Sequence, residues 1–216
     1  MVKKGLIFLL VMLIALLSGC KRNVPGVEFQ TETTTSDMIH IFEEPYWVNV
    51  NVWVPEEMVK LTQRNINEFM EENPQYTSDI YSVEVKVATM EECVNEIVTD
   101  VECGPDLYYF NAKDFESIIN VGGIFDFSDT KYEDYVMESN YLDSVIATMY
   151  AGEVHAFPAS YDDTTGEVIL LGVKPKMDED AAIFCLELAK YLTSAESQKE
   201  IYEKVGWKPS NIEVEE

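Results

Sequence analysis

Two kinds of hydrophobic periodicity alternate along the chain. In residues 47–54 valine alternates strictly with tryptophan or asparagine, so that four valines lie on one side, and residues 80–87 repeat the two-residue period. Such alternation is typical of a β-strand with one buried face. Residues 107–110 are continuously apolar and follow Gly104 and Pro105, which end the preceding pattern. They predict a buried strand.

Helical spacing fills the intervals between these strands. Apolar residues recur three or four positions apart in residues 55–73, 90–101 and 115–121. Proline at a first helical position and acidic residues in the first turn suit a helix that starts at Pro55, Glu56 and Glu57. These carboxylates therefore either complement the helix dipole or contact a ligand.

The second half of the chain continues the pattern. The pattern predicts two short helices in residues 132–150, a strand at 154–157 that Pro158 ends, and a loop at 159–166. It then predicts a strand at 167–173 and helices at 178–192 and 194–205. Strands that alternate with helices predict an α/β fold with a mostly parallel central sheet, right-handed crossovers and helices on both faces. The length of 216 residues suits one such domain.

The amino terminus has a different character. Lys3 and Lys4 precede an apolar run that closes on Leu17-Ser18-Gly19-Cys20. This is the layout of a secretory signal, and its last four residues resemble the bacterial lipobox, whose cysteine becomes the lipid-bearing first residue. We expect a signal peptide at 1–20, a flexible Thr-rich tether at 21–45, the folded domain at 46–211 and an acidic tail at 212–216. An uncleaved anchor helix would also leave the domain outside the membrane.

Charge and motifs exclude several function classes. The formal net charge is −25, which repels nucleic acid and anionic lipid, so neither is an expected partner. The chain has no motif that pairs a nucleophile with a base and no glycine-rich phosphate loop. We therefore expect no enzymatic activity and no cofactor.

Cysteine and histidine give no metal motif. Cys93, Cys103 and Cys185 are interpreted as small buried hydrophobic residues. The two histidines are far apart in the sequence, and the acidic residues 126–134 lack the ligand spacing and glycine of a calcium loop. The sequence thus predicts no metal site.

The end of the 107–110 strand is the first candidate for a binding site. Phe110, Asn111, Lys113 and Asp114 lie where this strand passes into the next helix. Ligands of open α/β sheets bind at the carboxyl ends of the strands. The alternative is that the aromatic residues belong to the core and that the two charges belong to the first turn of a helix.

Several segments, taken together and in order, resemble the amino-terminal lobe of bacterial family-1 extracellular solute-binding proteins of the maltose/maltodextrin-binding type. The segments that carry this resemblance are residues 52–57, 69–74, 99–106, 122–124, 150–158, 172–175, 188–194, 196–198 and 206–211.

The resemblance implies a single lobe of a type II periplasmic binding protein. In that family a whole second lobe lies between the crossover strand and the returning strand, whereas here a short turn at residues 162–166 occupies the place. The second excursion that family members make near their carboxyl end is also missing. A degenerate gene product is the alternative, although regular alternation and capping favour a chain that folds.

The implied function is that of a lipid-anchored solute-binding protein of a carbohydrate ABC transporter. Its expected partners are an oligosaccharide and an ABC permease, and one lobe would bind sugar weakly, since a closing clamp normally buries the ligand. Carried over position by position, the resemblance implies ligand contacts from Glu56, Glu57, Phe110, Asn111, Lys113, Asp114 and Asp162.

A second hypothesis is a surface interaction module that keeps the lobe as a scaffold and docks to a permease, another binding protein or itself. It predicts that Trp53, Tyr109, Phe110 and Tyr161 form one exposed apolar patch. Carboxylates that separate these rings in a concave cleft would favour a sugar site instead.

Overall fold

The computed structural model describes residues 47–76 and 79–214. The expected signal peptide and tether, including Cys20, therefore lie outside the described residues. The described strands are β1 (Val48–Val54), β2 (Tyr81–Val87), β3 (Leu107–Asn111), β4 (Met149–Tyr150), β5 (Glu153–Val154), β6 (Ala156–Asp162) and β7 (Glu167–Val173).

Five of these strands form one sheet in the order β2-β1-β3-β7-β6. β1 pairs in parallel with β2 and β3, while β7 runs antiparallel to both β3 and β6. Four strands therefore point the same way and only β7 is reversed. β4 and β5 form a separate two-stranded hairpin.

Helices connect the strands where the apolar spacing predicted them. Two short 3-10 turns, Glu56–Met58 and Ala112–Asp114, precede the first and third helices. The described helices are α1 (Val59–Glu72), α2 (Met90–Thr99), α3 (Phe115–Asn120), α4 (Lys131–Ser139), α5 (Leu142–Ile146), α6 (Glu179–Leu192) and α7 (Ala195–Val205). Ser194 caps α7 as expected, with its side chain accepting a hydrogen bond from the Ser197 N–H.

The sheet has a hydrophobic core on each face. The inward valines of β1 and residues such as Leu107 and Tyr109 pack with helices α1, α4, α6 and α7. Tyr108 and Phe110 point to the other face and pack with helices α2 and α3. Because successive side chains of a strand alternate between faces, β3 contributes large rings to both cores. The predicted α/β class with helices on both faces is confirmed.

A buried ionic cluster fixes the amino end of β3. The carboxylate of Asp106 accepts a hydrogen bond of 2.8 Å from the Asn51 N–H, and it pairs with the ammonium groups of Lys174 and Lys176. Lys174 also donates to the Gly104 carbonyl oxygen at 2.8 Å. The cluster thereby connects the β1 side of β3 with the segment that follows β7.

The strand at Pro158 is longer than the sequence predicted. Pro158 lies inside β6, which continues to Asp162 and leaves a loop of only residues 163–166 before β7. β6 is an edge strand with a register shift between Pro158 and Ser160. Edge strands tolerate proline because its missing N–H need not join the ladder. The prediction that Pro158 ends this strand is therefore wrong.

Some predicted core residues are exposed. Cys93 and Cys185 are buried, but Cys103 is exposed because it lies after α2 ends, in the turn before β3. Ile183 of α6 is also exposed. The carboxyl-terminal end packs at least as far as Val214, whose side chain is buried. Within the described residues no helix is long and apolar enough to cross a membrane.

Candidate ligand-binding site

The predicted site residues gather at one edge of the sheet because the parallel strands end there. β1, β3 and β6 end at Val54, Asn111 and Asp162, and β7 begins at the same edge with Glu167. Loops at this edge therefore bring together segments that are distant in the sequence. This carboxyl edge is where ligands of open α/β sheets bind.

The cavity that three of the predicted site residues line, called the main cavity below, lies between β3 and the start of α2. It has a volume of about 500 Å³, and its lining includes Asn111, Lys113 and Asp114 together with Glu91 and Asn95. Asn111 and Asp114 are half-buried, whereas Lys113 is exposed. Amide, ammonium and carboxylate groups here offer both donors and acceptors to a polar ligand.

A smaller depression lies on the other side of the same turn. Its volume is about 210 Å³, and Asn111 and Lys113 line it together with Gly166, Glu167 and Val168. Asn111 and Lys113 thus contribute to both depressions. The loop between β6 and β7 forms the second wall.

Glu56 and Glu57 line a different cavity, of about 400 Å³, at the ends of β1 and β2. Both side chains are exposed, and Thr89 and Glu92 of the opposite wall form a capping box. The backbone N–H and the hydroxyl of Thr89 hold the pKa of Glu92 below its usual range. The first turn of α2 separates this anionic cavity from the one at Asn111.

Asp162 lies at the far side of the edge and already has protein partners. It accepts a hydrogen bond of 2.9 Å from the Thr164 N–H, and the Lys208 ammonium lies 3.1 Å from its carboxylate. These two contacts lower the pKa of Asp162 to about 2. Lys208 also bonds Asp163 at 2.7 Å. A ligand would have to displace Lys208 to reach Asp162.

Phe110 belongs to the core rather than to the surface of the site. Its side chain is 0% exposed, and its ring packs on Tyr108 and Phe115 with centroids 5.6 and 6.1 Å away. Its position in β3 points the ring towards α2 and α3, so it offers no free face on which a sugar could stack. The expectation of an accessible Phe110 is corrected for this physical reason.

The sequence reasoning missed three polar residues of the edge. Glu91 and Asn95 line the main cavity from α2, and Lys208 approaches the β6–β7 turn from the segment after α7. The Thr89-x-x-Glu92 capping box is a signal for the start of α2 and would have placed Glu91 at this edge. No local pattern places Lys208, whose partners lie more than 40 positions away.

The five-stranded sheet with helices on both faces is similar to the fold of solved periplasmic-binding-protein-like structures. A maltodextrin-binding protein, MalE1 from L. casei BL23, solved without ligand, has a TM-score of 0.62 at 11% identity, with 78% of this chain and 80% of that chain covered. A cyclo/maltodextrin-binding protein in complex with maltotetraose has a TM-score of 0.63 at 10% identity, with 80% and 81% covered.

The fold also occurs in a protein with a different ligand. UgpB from Mycobacterium tuberculosis, solved in complex with glycerophosphocholine, has a TM-score of 0.58 at 7% identity, with 77% of this chain and 82% of that chain covered. No protein-family model matches the sequence, and no curated protein matches it either. At these identities the structural likeness establishes the fold.

Proposed function

We propose that this protein is an extracytoplasmic carbohydrate-binding lipoprotein of an ABC importer, tethered through a lipidated Cys20. The lipobox-like ending of the apolar run supports the anchor. The fold shared with maltodextrin-binding proteins supports a sugar ligand. The permease would recognise the outer surface of the lobe.

The polar cavity at Asn111 is the observation that carries this proposal. It lies at the carboxyl edge of the sheet, and amide, carboxylate and ammonium groups line it. Carboxylates and amides accept hydrogen bonds from sugar hydroxyls, and Lys113 supplies a donor. The cavity of the acidic pair Glu56 and Glu57 lies beyond the first turn of α2 and would extend the site along the edge.

The connection between β6 and β7 supports a site built from one lobe. The Gly166 N–H donates to the Asp162 carbonyl oxygen at 2.7 Å, and Asp162 pairs with Glu167 across the hairpin. In the family that the sequence resembles, the second lobe is inserted at this point. A cavity without an opposing lobe stays open to water, so we expect weak binding.

The test is a two-dimensional NMR titration of the chain from residue 21 onward with maltooligosaccharides, other oligosaccharides and glycerophosphocholine. We expect the backbone signals of Glu91, Asn111 and Asp114 to shift with a millimolar sugar. The Asn111→Ala variant should weaken binding at least fivefold. Asn120→Ala, which changes an exposed asparagine at the end of α3, is the matched control and should bind as the unchanged chain does. A folded spectrum that no ligand moves would refute the transport function.

A separate observation favours the interaction module as a second candidate function. The aromatic patch that it predicted does not form, since Tyr109 and Phe110 are buried. However, Leu142 and Ile146 of α5 are 70% and 57% exposed, and Leu142 lines a groove of about 570 Å³. Sedimentation velocity would test self-association through this face: a dimer that Leu142→Lys abolishes would support the module, and a monomer at all concentrations would count against self-docking.

A further inference from the structure

Three metal-ligating side chains meet outside the candidate ligand-binding site. One carboxylate oxygen each of Asp126 and Glu153 and one ring nitrogen of His155 all lie within 4.8 Å of one another. Asp126 belongs to the connection between α3 and α4. Glu153 and His155 stand two positions apart in an extended segment, so their side chains lie on the same side of it.

Backbone hydrogen bonds hold the two segments in place. The Phe127 N–H donates to the Val154 carbonyl oxygen at 3.2 Å, and the Val154 N–H donates to the Ser128 hydroxyl at 3.0 Å. The Ser128 N–H in turn donates to the Asp126 carboxylate at 3.0 Å. The backbone on which the three side chains stand is therefore fixed before any ligand binds.

His155 gives an independent reason to expect a ligand. The residue is only 8% exposed, and within the described part of the chain neither of its ring nitrogens has a hydrogen-bond partner. Leaving a buried polar group without a partner costs about 1–3 kcal/mol. The rings of Phe115 and Tyr150 pack around the imidazole and shield it from water. One nitrogen faces the two carboxylates, where a cation would satisfy all three groups.

We propose that Asp126, Glu153 and His155 bind a Zn²⁺ ion. Zinc accepts imidazole nitrogen and carboxylate oxygen as ligands and commonly combines three protein ligands with water. Calcium and magnesium prefer six or more oxygen ligands, so the imidazole selects against them. Tetrahedral zinc with bonds of about 2.1 Å places its ligand atoms ~3.4 Å apart, so a pair of atoms at the 4.8 Å limit has to approach by about 1.4 Å. Asp126 and Glu153 are exposed, and rotation of their side chains can supply this movement.

The ion would connect two segments of the chain, and water would complete its coordination. It would join the β4–β5 hairpin to the segment that follows α3, at the amino end of β6. Asp162, at the other end of the same strand, is seven residues away, or about 23 Å at roughly 3.3 Å per residue. The zinc site is thus remote from Asp162, and its ligands are none of the residues proposed to contact a sugar.

The test is a Zn²⁺ competition titration against a chromophoric chelator with the full chain, purified in detergent under reducing conditions. A His40→Gln background makes His155 the source of every imidazole signal. We expect one equivalent of Zn²⁺, a shift of the His155 ring nitrogens in ¹⁵N NMR, and no displacement by a hundredfold excess of Ca²⁺ or Mg²⁺. Glu153→Gln should weaken binding at least tenfold. Glu138→Gln, at an exposed glutamate of α4, is the matched control and should change it less than twofold.

The outcomes separate the alternatives. The proposal is overturned if the Glu153→Gln and Asp126→Asn variants bind zinc within twofold of the control variant. It is also overturned if the chain takes up zinc while the His155 ring signals stay unshifted, since thiols would then be the ligands. Equal competition by Ca²⁺ would overturn the assignment to zinc. His155→Asn changes a buried position and can fail to fold, so the two carboxylate variants, which are exposed, decide the test.

Discussion

The substitution Asp106→Asn tests the buried ionic cluster beside β3 most directly. The Asp106 side chain is 3% exposed and pairs with Lys174 and Lys176, whose side chains are 10% and 20% exposed. Asparagine has nearly the same shape and can still accept from the Asn51 N–H. The change therefore removes the negative charge and leaves the packing almost intact.

The structure shows which side chain causes the loss of folding stability. Lys174 keeps two acceptors, the carbonyl oxygens of Gly104 at 2.8 Å and Glu102 at 3.2 Å, but it loses its counter-charge while remaining buried. Lys176 is more exposed and can rehydrate. Removing one partner of a buried ion pair typically costs about 3–5 kcal/mol, and the two remaining acceptors put this case near 3 kcal/mol. The free energy of unfolding should fall by that amount.

Urea denaturation followed by tryptophan fluorescence measures the effect. With a slope of about 2 kcal/mol per M, the midpoint should fall by roughly 1.5 M. Asp134→Asn, at an exposed aspartate of α4, is the control and should stay within about 0.5 kcal/mol of the unchanged chain. Adding Lys174→Met to Asp106→Asn should recover stability because the unpaired charge is gone. A midpoint shift below about 0.3 M for Asp106→Asn would refute the reasoning.

Two further predictions concern the β6–β7 region. The Asp162 carboxyl should titrate at about pH 2 in ¹³C NMR, and Lys208→Met should raise this pKa only in part, because the Thr164 N–H still donates. Since the pKa of Asp162 is lowered in the folded chain, the stabilisation from Asp162 is present above its usual pKa and is lost as the pH falls towards 2. An ordinary pKa for the Asp162 carboxyl would contradict this prediction. Gly172→Ala should lower the free energy of unfolding by about 1–3 kcal/mol, because its Cβ would lie 2.9 Å from Tyr108 Cζ. An unchanged urea midpoint would show that the rings can move apart.

The strands and helices were predictable because their signals are local. The alternating valines of β1 and the continuous apolar run of β3 are both buried as predicted. The strand end predicted at Pro158 is wrong because an edge strand tolerates proline, and local sequence does not encode that β6 lies at the sheet edge. The reversed direction of β7 likewise follows from the short hairpin and not from the strand itself.

The candidate site was predictable only in part. Asn111, Lys113 and Asp114 lie at the carboxyl edge because topology alone places strand ends there. The same rule cannot say which way a side chain points, and Phe110 proved to face the core. The zinc cluster escaped prediction because Asp126 and His155 are 29 positions apart and meet only through tertiary contacts. Sequence spacing identifies metal sites when ligand pairs lie a few positions apart in a known pattern, and these three ligands follow none.

β6 links the two proposed sites, and this gives a strict test of their independence. Its amino end follows His155, and its carboxyl end is Asp162 at the candidate ligand-binding edge. If the sheet is rigid, Glu153→Gln should weaken zinc binding without moving the sugar titration, and Asn111→Ala should weaken sugar binding without changing the zinc affinity. Any equilibrium coupling between the ligands must be reciprocal. Zinc that changed sugar affinity would therefore require sugar to change zinc affinity by the same factor.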